Sequence, residues 1–306
     1  MSELKPPPHG WIILDKPRGL GSTQAVGAVK RNLREGGYAK TKVGHGGTLD
    51  PLAEGVLPIA LGEATKLAGR MLDASKIYDF TIRFGEETDT LDTEGEIVDC
   101  SDVRPSEDDV IAILPQFTGL IDQVPPAYSA LKIDGKRAYD LARAGQDVKM
   151  KTRSVTIHSL TIAGSDDAGD LILRAHVSKG TYIRSLARDI ARALGSCGHV
   201  TYLRRAKAGP FAEANAISLD KLNEIANGAQ LNDLLLPLEA GLDDIPALSL
   251  SQTDAQAVRQ GRVLSGLPQS SGLYCAMLDD VPVALVEITD GTAKVVRGFN
   301  LPDVAE

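Results

Sequence analysis

The order of apolar and polar residues along the chain predicts both strands and helices. Strands are expected where short apolar or alternating runs end at turn residues, at 11–14, 56–61, 77–84, 127–133, 155–162 and 170–177. Helices are expected where apolar residues recur at a period near 3.6 between capping and breaking residues, at 22–35, 64–72, 106–114 and 181–194. The pattern predicts an α+β fold, with a mixed sheet flanked by helices.

Several boundaries follow from local chemistry. Ser22 or Thr23 is expected to cap the first helix, which two glycines end at 36 and 37. Asp134 and Gly135 form a tight-turn signal. The acidic run over 86–102 is expected to be a solvent-facing turn and strand.

The pattern changes near Pro246, where short β-prone runs separated by glycine begin, at 274–278, 281–288 and 293–296. This change predicts two domains. The larger covers residues 1–244, and a small, mostly β domain covers 245–306.

Composition narrows the possible classes of protein. The chain has 306 residues, of which 43% are apolar, and its apolar runs are far shorter than the roughly 20 residues of a membrane-spanning helix. The first ten residues lack the apolar core of a signal peptide, so a cytoplasmic location is expected. The three scattered cysteines, together with the absence of HxxxH, CxxC and nucleotide-binding glycine motifs, predict neither a metal nor a cofactor.

Charge is unevenly distributed. The net charge of -8 argues against a nucleic-acid partner, because polyanion binding uses Lys and Arg. Residues 123–210, however, contain 15 basic and 7 acidic side chains, a net charge of +8. This predicts one cationic face, although a surface of ion pairs explains the charge equally well.

The most distinctive motif is GHGGTLDPLAEG at 44–55. Its four glycines allow close backbone approach to a ligand, and Pro51 restricts the chain directly after Asp50. Taken alone, Asp50 is as readily a turn or cap residue, and His45 a local hydrogen-bonding group.

Four further segments accompany this motif. They are LDKP at 14–17, GEATK at 62–66, YSALK with GK at 128–136, and SKGTYIR followed by YLRR at 178–205. Together the five motifs resemble the TruB family of pseudouridine synthases, whose bacterial members modify uridine 55 in the T loop of transfer RNA. The resemblance covers about residues 10–205. The C-terminal part matches less well, but its size and strand content resemble a PUA-like RNA-binding domain.

The resemblance implies a catalytic set of three residues. Asp50 matches the catalytic aspartate, Arg184 the arginine that pairs with it, and Tyr78 a tyrosine that stacks on the target base and is proposed to help remove the C5 proton. A carboxylate nucleophile suits the reaction, because moving uracil from N1 to C5 attachment breaks and remakes a glycosidic bond. No cofactor is implied. Without the resemblance, Arg184 is a phosphate contact or a surface charge on the helix, and Tyr78 is a sheet residue.

The resemblance also implies a substrate-binding set. His45 would fill the space left by flipped bases, and Lys16, Tyr182 and Leu203 would border the uracil site. On pattern alone, Lys16 is a turn residue and the other two are core residues. The cations expected to bind substrate, mainly through phosphates, are Lys66, Lys132, Lys136, Lys179, Arg204 and Arg205. The chain departs from the family at Gly21, where a Ser or Thr is usual; Ser22 follows it.

The expected partner is the T arm of tRNA, bound by a monomer. Three alternatives remain from sequence: a non-catalytic RNA-binding or tRNA-folding factor, a relative that works inside a guide-RNA particle, and a glycoside hydrolase. The last would need paired carboxylates in an acidic groove, which the basic segment disfavours.

Overall fold

The computed structural model describes residues 4–129, 131–133, 135–146, 148–228 and 230–301. Its strands are β1 (Gly10–Lys16), β2 (Val43–His45), β3 (Glu54–Leu61), β4 (Lys76–Phe84), β5 (Glu86–Thr88), β6 (Ile97–Cys100), β7 (Gly119–Gln123), β8 (Lys132–Ile133), β9 (Lys136–Arg137), β10 (Arg153–Ser165), β11 (Leu171–Val177), β12 (Gly198–Ala208), β13 (Phe211–Ala212), β14 (Ala247–Ser249), β15 (Leu264–Ser265), β16 (Gly272–Leu278), β17 (Val281–Thr289) and β18 (Thr292–Gly298). Its α-helices are α1 (Ser22–Glu35), α2 (Ala68–Asp73), α3 (Glu107–Ile113), α4 (Ala138–Arg143), α5 (Ile183–Ala193), α6 (Leu219–Asn223) and α7 (Gln252–Arg259). Short 3₁₀ turns lie at Gly62–Leu67, Leu114–Phe117, Glu213–Asn215, Leu231–Asp233 and Leu238–Gly241.

A mixed sheet in the order β1-β3-β12-β4-β11-β10-β7 forms the centre of the molecule, with β2 beside β3 and β13 beside β12. Its strands pair antiparallel except β3 with β12, which run parallel at Arg204 and Arg205. The expected α+β class with a mixed sheet is therefore confirmed.

Both faces of this sheet are covered near β1, which explains the continuous apolar run at 11–14. Ile12 and Leu14 pack into a core that also contains α1 and α5 side chains. Trp11 and Ile13 point to the other face and pack with residues from the 238–242 turn, with Cys275 of β16 and Leu285 of β17, and with Phe299 just after β18. A strand buried on both faces reads as an uninterrupted apolar run.

The C-terminal sheet has the order β14-β16-β17-β18-β15. Helix α7 lies on it and contributes Ala255 and Val258 to a separate small core. The sheet begins at Ala247, close to the boundary expected from the change in pattern.

Most of the expected elements are present. The strands at 11–14, 56–61 and 77–84, the hairpin of β10 and β11, and the helices at 64–72, 106–114 and 181–194 are confirmed, the 64–72 helix as a 3₁₀ turn leading into α2. The strand over 127–133 is wrong, because in the described part of that range only Lys132–Ile133 is extended in a sheet. Asp134, half of the expected turn, lies outside the described residues.

Two local expectations are also wrong. The N-cap of α1 is Gly21, whose N–H donates to Oε1 of Gln24 over 2.7 Å, so neither Ser22 nor Thr23 caps the helix. The acidic run is only partly solvent-facing. Strand β6 is exposed, but Glu87 and Asp92 are buried. Among the residues that the structure describes, no helix has the length and apolarity needed to cross a bilayer.

Candidate active site

Asp50 lies in the loop between β2 and β3, and neighbouring elements hold that loop through its backbone. The hydroxyl of Ser22, on the first turn of α1, donates to the Leu49 carbonyl (2.9 Å) and accepts from the Leu49 N–H (2.8 Å). The N–H of Gly19 donates to the Pro51 carbonyl over 2.7 Å. Ser22 therefore anchors the residue before Asp50. It makes this polar contact in a chain that has glycine at position 21, where the family usually has Ser or Thr.

Lys16 contacts the same loop through its side chain. Its ammonium group donates to the carbonyls of Pro17 (3.0 Å), Leu20 (2.7 Å) and Pro51 (3.4 Å). The side chain is fully buried, and burial lowers the pKa of Lys16 to about 8. Lys16 is not among the residues that line the cavity beside Asp50, and its place at the uracil site stays a prediction.

Arg184 is the centre of a buried ionic network. Its guanidinium contacts the Asp50 carboxylate over 2.7 Å and the Asp92 carboxylate over 3.0 Å. It also donates to the carbonyls of Thr90 (2.8 Å) and Tyr128 (3.0 Å). Since its side chain is only 6% exposed, Arg184 is not a surface charge. Asp50 is 40% exposed, so its carboxylate faces the cavity while Arg184 holds it from behind.

The start of α5 fixes the position of Arg184. Tyr182 precedes the helix, and its backbone is held on both sides by the Gln123 amide, which accepts from the Tyr182 N–H (2.8 Å) and donates to its carbonyl (3.0 Å). The apolar side of α5, including Leu186 and Ile190, packs into the sheet core. Arg184, one residue into the helix, consequently points at the Asp50 loop.

Asp50 borders a cavity of about 380 Å³. This volume is within the range of small-molecule sites, about 300–1,000 Å³. Tyr78 on β4 and Leu203 on β12 form part of its wall, with Tyr182 at the start of α5. Burial raises the pKa of the Tyr182 phenol, so the ring stays neutral. The cavity can therefore enclose a planar base against a carboxylate.

His45 lies at the end of β2, half-buried and close to the Gly47 N–H. Burial and the nearby charge of Arg205 lower the pKa of His45 below its ordinary value. The neutral imidazole is therefore favoured at neutral pH.

The four lysines expected to bind substrate divide into two groups. Lys132, Lys136 and Lys179 are exposed, and Lys179 pairs with Asp73 over 2.8 Å at the surface. Lys66 instead donates to Glu63 (2.6 Å) and to the Gly298 carbonyl (2.9 Å), which joins it to the C-terminal sheet.

The two arginines of β12 do not act as free cations. Arg204 pairs with Asp15 and Glu54, each over 3.1 Å, and with Glu213. Arg205 is 1% exposed and donates to three carbonyls, so an outward phosphate contact does not fit its position.

Sequence reasoning missed three residues of this site. Asp92 was hidden in a run of acidic residues that carries no sign of which member is buried. Lys76 lines the cavity and donates to carbonyls at 71, 72 and 74, and burial lowers its pKa to about 8. Arg153 also lines the cavity and lies over the Tyr182 ring. The available signal for Lys76 was its position at the start of an alternating strand, two residues before Tyr78.

The site combines one accessible carboxylate, a buried arginine partner and aromatic walls on a mixed sheet. In the described ranges no group of three or more His, Cys, Asp or Glu residues is placed to hold a metal ion. This arrangement fits an enzyme that attacks its substrate with a carboxylate.

Comparison with known proteins defines the class. Residues 34–183 match the family model "TruB family pseudouridylate synthase (N terminal domain)", and residues 184–243 match "tRNA pseudouridylate synthase B C-terminal domain". The chain belongs to the TruB family and is a pseudouridine synthase.

The relatives are similar over nearly their whole length. The chain is 69% identical to "tRNA pseudouridine synthase B" of Novosphingobium aromaticivorans, covering 97% of this chain and 99% of that one. It is 60% identical to the protein of the same name from Zymomonas mobilis, with 95% and 96% covered. Among solved structures, "Structure of H/ACA RNP bound to a substrate RNA containing 2'-deoxyuridine" contains a chain with a TM-score of 0.71 and 27% identity, with 97% of this chain and 86% of that chain covered. The family and the enzyme class expected from sequence are confirmed, whereas the role of each residue and the domain boundary remain predictions.

Proposed function

We propose that this protein isomerises uridine to pseudouridine in the T loop of tRNA, at position 55, with Asp50 as the nucleophile. The observation that carries the proposal is the ion pair of 2.7 Å between Arg184 and Asp50, which aims an accessible carboxylate into the cavity. Two relatives named for tRNA, at 69% and 60% identity, support tRNA as the substrate. The enzyme would work in the cytoplasm, where tRNA is modified.

The reaction balances without an external reagent. The bond from C1′ to N1 breaks, a bond from C1′ to C5 forms, the C5 proton leaves, and N1 takes up a proton. Asp50 would form a covalent bond to the sugar C1′ or to the base C6, and that bond is broken again before release. The buried Arg184 stabilises the ionised carboxylate and fixes its direction.

Access to the base sets the second requirement. A uridine inside a folded loop must leave its stack before a carboxylate can reach it. Tyr78, Tyr182 and Leu203 offer apolar and aromatic surface on which the flipped uracil would rest. Neutral His45 would fill the space that the base leaves. Tyr78 is the proposed acceptor or relay for the C5 proton.

The RNA backbone would be bound outside the cavity. Lys132, Lys136 and Lys179 are exposed and belong to the basic segment, so they suit phosphate contacts. We expect the C-terminal sheet to assist as a PUA-like module, although the expected domain at 245–306 carries 4 basic and 7 acidic side chains.

Two alternatives weigh less. A non-catalytic RNA-binding factor has no need of an accessible carboxylate opposite a polyanion, because that charge weakens binding. A role inside a guide-RNA particle is supported by two solved structures, whose matching chains are 27% and 28% identical to this chain. The match covers 86% of each of those chains. The similarity to tRNA pseudouridine synthase B is far higher and covers nearly all of both chains.

Nucleoside mapping by mass spectrometry tests the proposal. An unmodified tRNA transcript is incubated with the native protein or with Asp50→Asn, treated with a carbodiimide that stays bound to pseudouridine, and cut with a nuclease. The added mass locates pseudouridine, which otherwise has the same mass as uridine. We expect pseudouridine at position 55 with the native protein and none with Asp50→Asn, which should still bind the transcript. Pseudouridine at another position would reject the T-loop assignment, and an active Asp50→Asn would reject the nucleophile.

A further inference from the structure

Arg205 occupies a position where an apolar residue is expected. It lies on β12, and the alternation of the strand places its side chain on the same buried face as Leu203. Its residue exposure is 1%, yet among the described residues no carboxylate pairs with it, whereas Arg184 pairs with two and Arg204 with three. Burying a charge without a counter-ion is costly unless hydrogen bonds replace its hydration.

Backbone carbonyls on both sides of Asp50 supply those hydrogen bonds. Nε of Arg205 donates to the Val56 carbonyl over 2.8 Å, Nη2 to the Gly47 carbonyl over 3.1 Å, and Nη1 to the Thr48 carbonyl over 3.3 Å. The planar guanidinium therefore joins the segment before Asp50 to the strand after it. A lysine has a single terminal group, so it does not reproduce this fork.

The backbone is shaped for this contact. Strand β12 has an irregular register opposite β4 between Arg205 and Lys207, and such bulges re-aim side chains. Gly55, the last glycine of the Asp50 motif, has φ of +97° and lies so close to β12 that a Cβ there would be 2.4 Å from the Arg205 carbonyl oxygen. The lack of a side chain at Gly55 therefore allows the β12 backbone that carries Arg205, and not a ligand, to approach closely.

We propose that Arg205 is a positioning residue for the reaction. Its guanidinium fixes the loop around Asp50 so that the carboxylate meets Arg184 before substrate binds. This inference rests on the proposed function of Asp50. It replaces the phosphate contact that the sequence suggested for Arg205.

The test separates positioning from RNA binding. Single-turnover rates of pseudouridine formation with saturating tRNA transcript, and the Kd for the transcript at two salt concentrations, are measured for the native protein, Arg205→Lys and Arg205→Gln. A misplacement near 1 Å costs on the order of 100-fold in rate, so we expect about that loss in both variants, with Kd within about threefold and an unchanged salt dependence. The matched control is Arg83→Lys, because Arg83 is an exposed partner of Asp170; it should keep the native rate.

Hydrogen–deuterium exchange provides the second readout. In Arg205→Lys we expect faster exchange confined to residues 44–56, with native protection in the sheet cores. Uniformly faster exchange would mean a general loss of stability and would overturn a positioning role. A full native rate, or a loss of affinity with a weaker salt dependence that points to a phosphate contact, would overturn it as well.

Failure of the proposed function looks different. In that case the native protein forms no pseudouridine at position 55, or Asp50→Asn stays active, whatever the Arg205 variants do. An inactive Asp50→Asn together with fully active Arg205 variants would refute only the positioning role.

Discussion

Replacing Asp92 with asparagine removes one of the two carboxylates that hold Arg184, while the size of the side chain is kept. Asp92 is 2% exposed and accepts from Arg184 (3.0 Å), from the Thr90 hydroxyl (2.6 Å) and from the Glu94 N–H (2.9 Å). An asparagine has a single carbonyl oxygen, so its amide nitrogen must face Arg184 in one orientation or both Thr90 and Glu94 in the other. The buried guanidinium then loses half of its counter-charge.

The magnitude follows from the bonds that change. A hydrogen bond to a charged group contributes about 1.5–3 kcal/mol, and removing one partner of a buried ion pair costs about 3–5 kcal/mol. Since asparagine keeps part of the network, we expect Asp92→Asn to lower the free energy of unfolding by about 2–3 kcal/mol. With an unfolding entropy of about 2.1 cal/mol/K per residue, this corresponds to a fall in Tm of about 3–5 °C for a chain of this size. A less firmly held Arg184 should also slow the single-turnover rate at least about tenfold.

Thermal unfolding and single-turnover pseudouridine formation measure both effects. The matched control is Asp102→Asn, because Asp102 belongs to the same acidic run but is exposed; its unfolding free energy should change by less than about 0.5 kcal/mol. Native stability and a native rate in Asp92→Asn would refute the role assigned to the network.

Two further predictions concern the support of the Asp50 loop. Gly55→Ala should destabilise the protein by more than about 2 kcal/mol, because Gly55 has a positive φ and a Cβ there would clash with the Arg205 carbonyl. The control is Gly27→Ala, which lies in open space on α1 and should stabilise the protein by about 0.5–1 kcal/mol. Equal effects of the two substitutions in urea unfolding would contradict this prediction. Burial lowers the pKa of Lys16 from 10.5 to about 8, so between these pH values the unfolded chain keeps a proton that the folded chain has released, and the contribution of Lys16 to stability rises with pH. Relative to Lys16→Met, the native protein should therefore gain stability between about pH 7 and about pH 9.5, and an unchanged difference would reject the shift.

Regular patterns in the sequence were sufficient to predict most of the fold. The run at 11–14 indicated a buried strand, and the alternation at 77–84 indicated β4, because side-chain periodicity depends directly on backbone geometry. The strand over 127–133 failed, since a short apolar run also occurs in a packed loop. The hydroxyl of Ser22 suits a helix cap, but it bonds instead to the backbone of Leu49, which is distant in sequence.

The site was less predictable, because it depends on which charges turn inward. The period of α5 places Arg184 beside Arg188 and Arg192, and only the family resemblance distinguished it. Asp92 has no mark within its acidic run. Arg205 did have one: in a buried central strand, one member of an Arg-Arg pair must face the interior.

Release of tritium from tRNA labelled at C5 of its uridines tests the central claim most directly, because the C5 hydrogen leaves only when C5 becomes bonded to the sugar. The transcript would carry [5-³H]uridine and would be incubated with the native protein or with Asp50→Asn, both confirmed to be folded and to bind the transcript. We expect one equivalent of tritium per tRNA from the native protein and none from Asp50→Asn. Release at the native rate by Asp50→Asn would contradict Asp50 as the nucleophile.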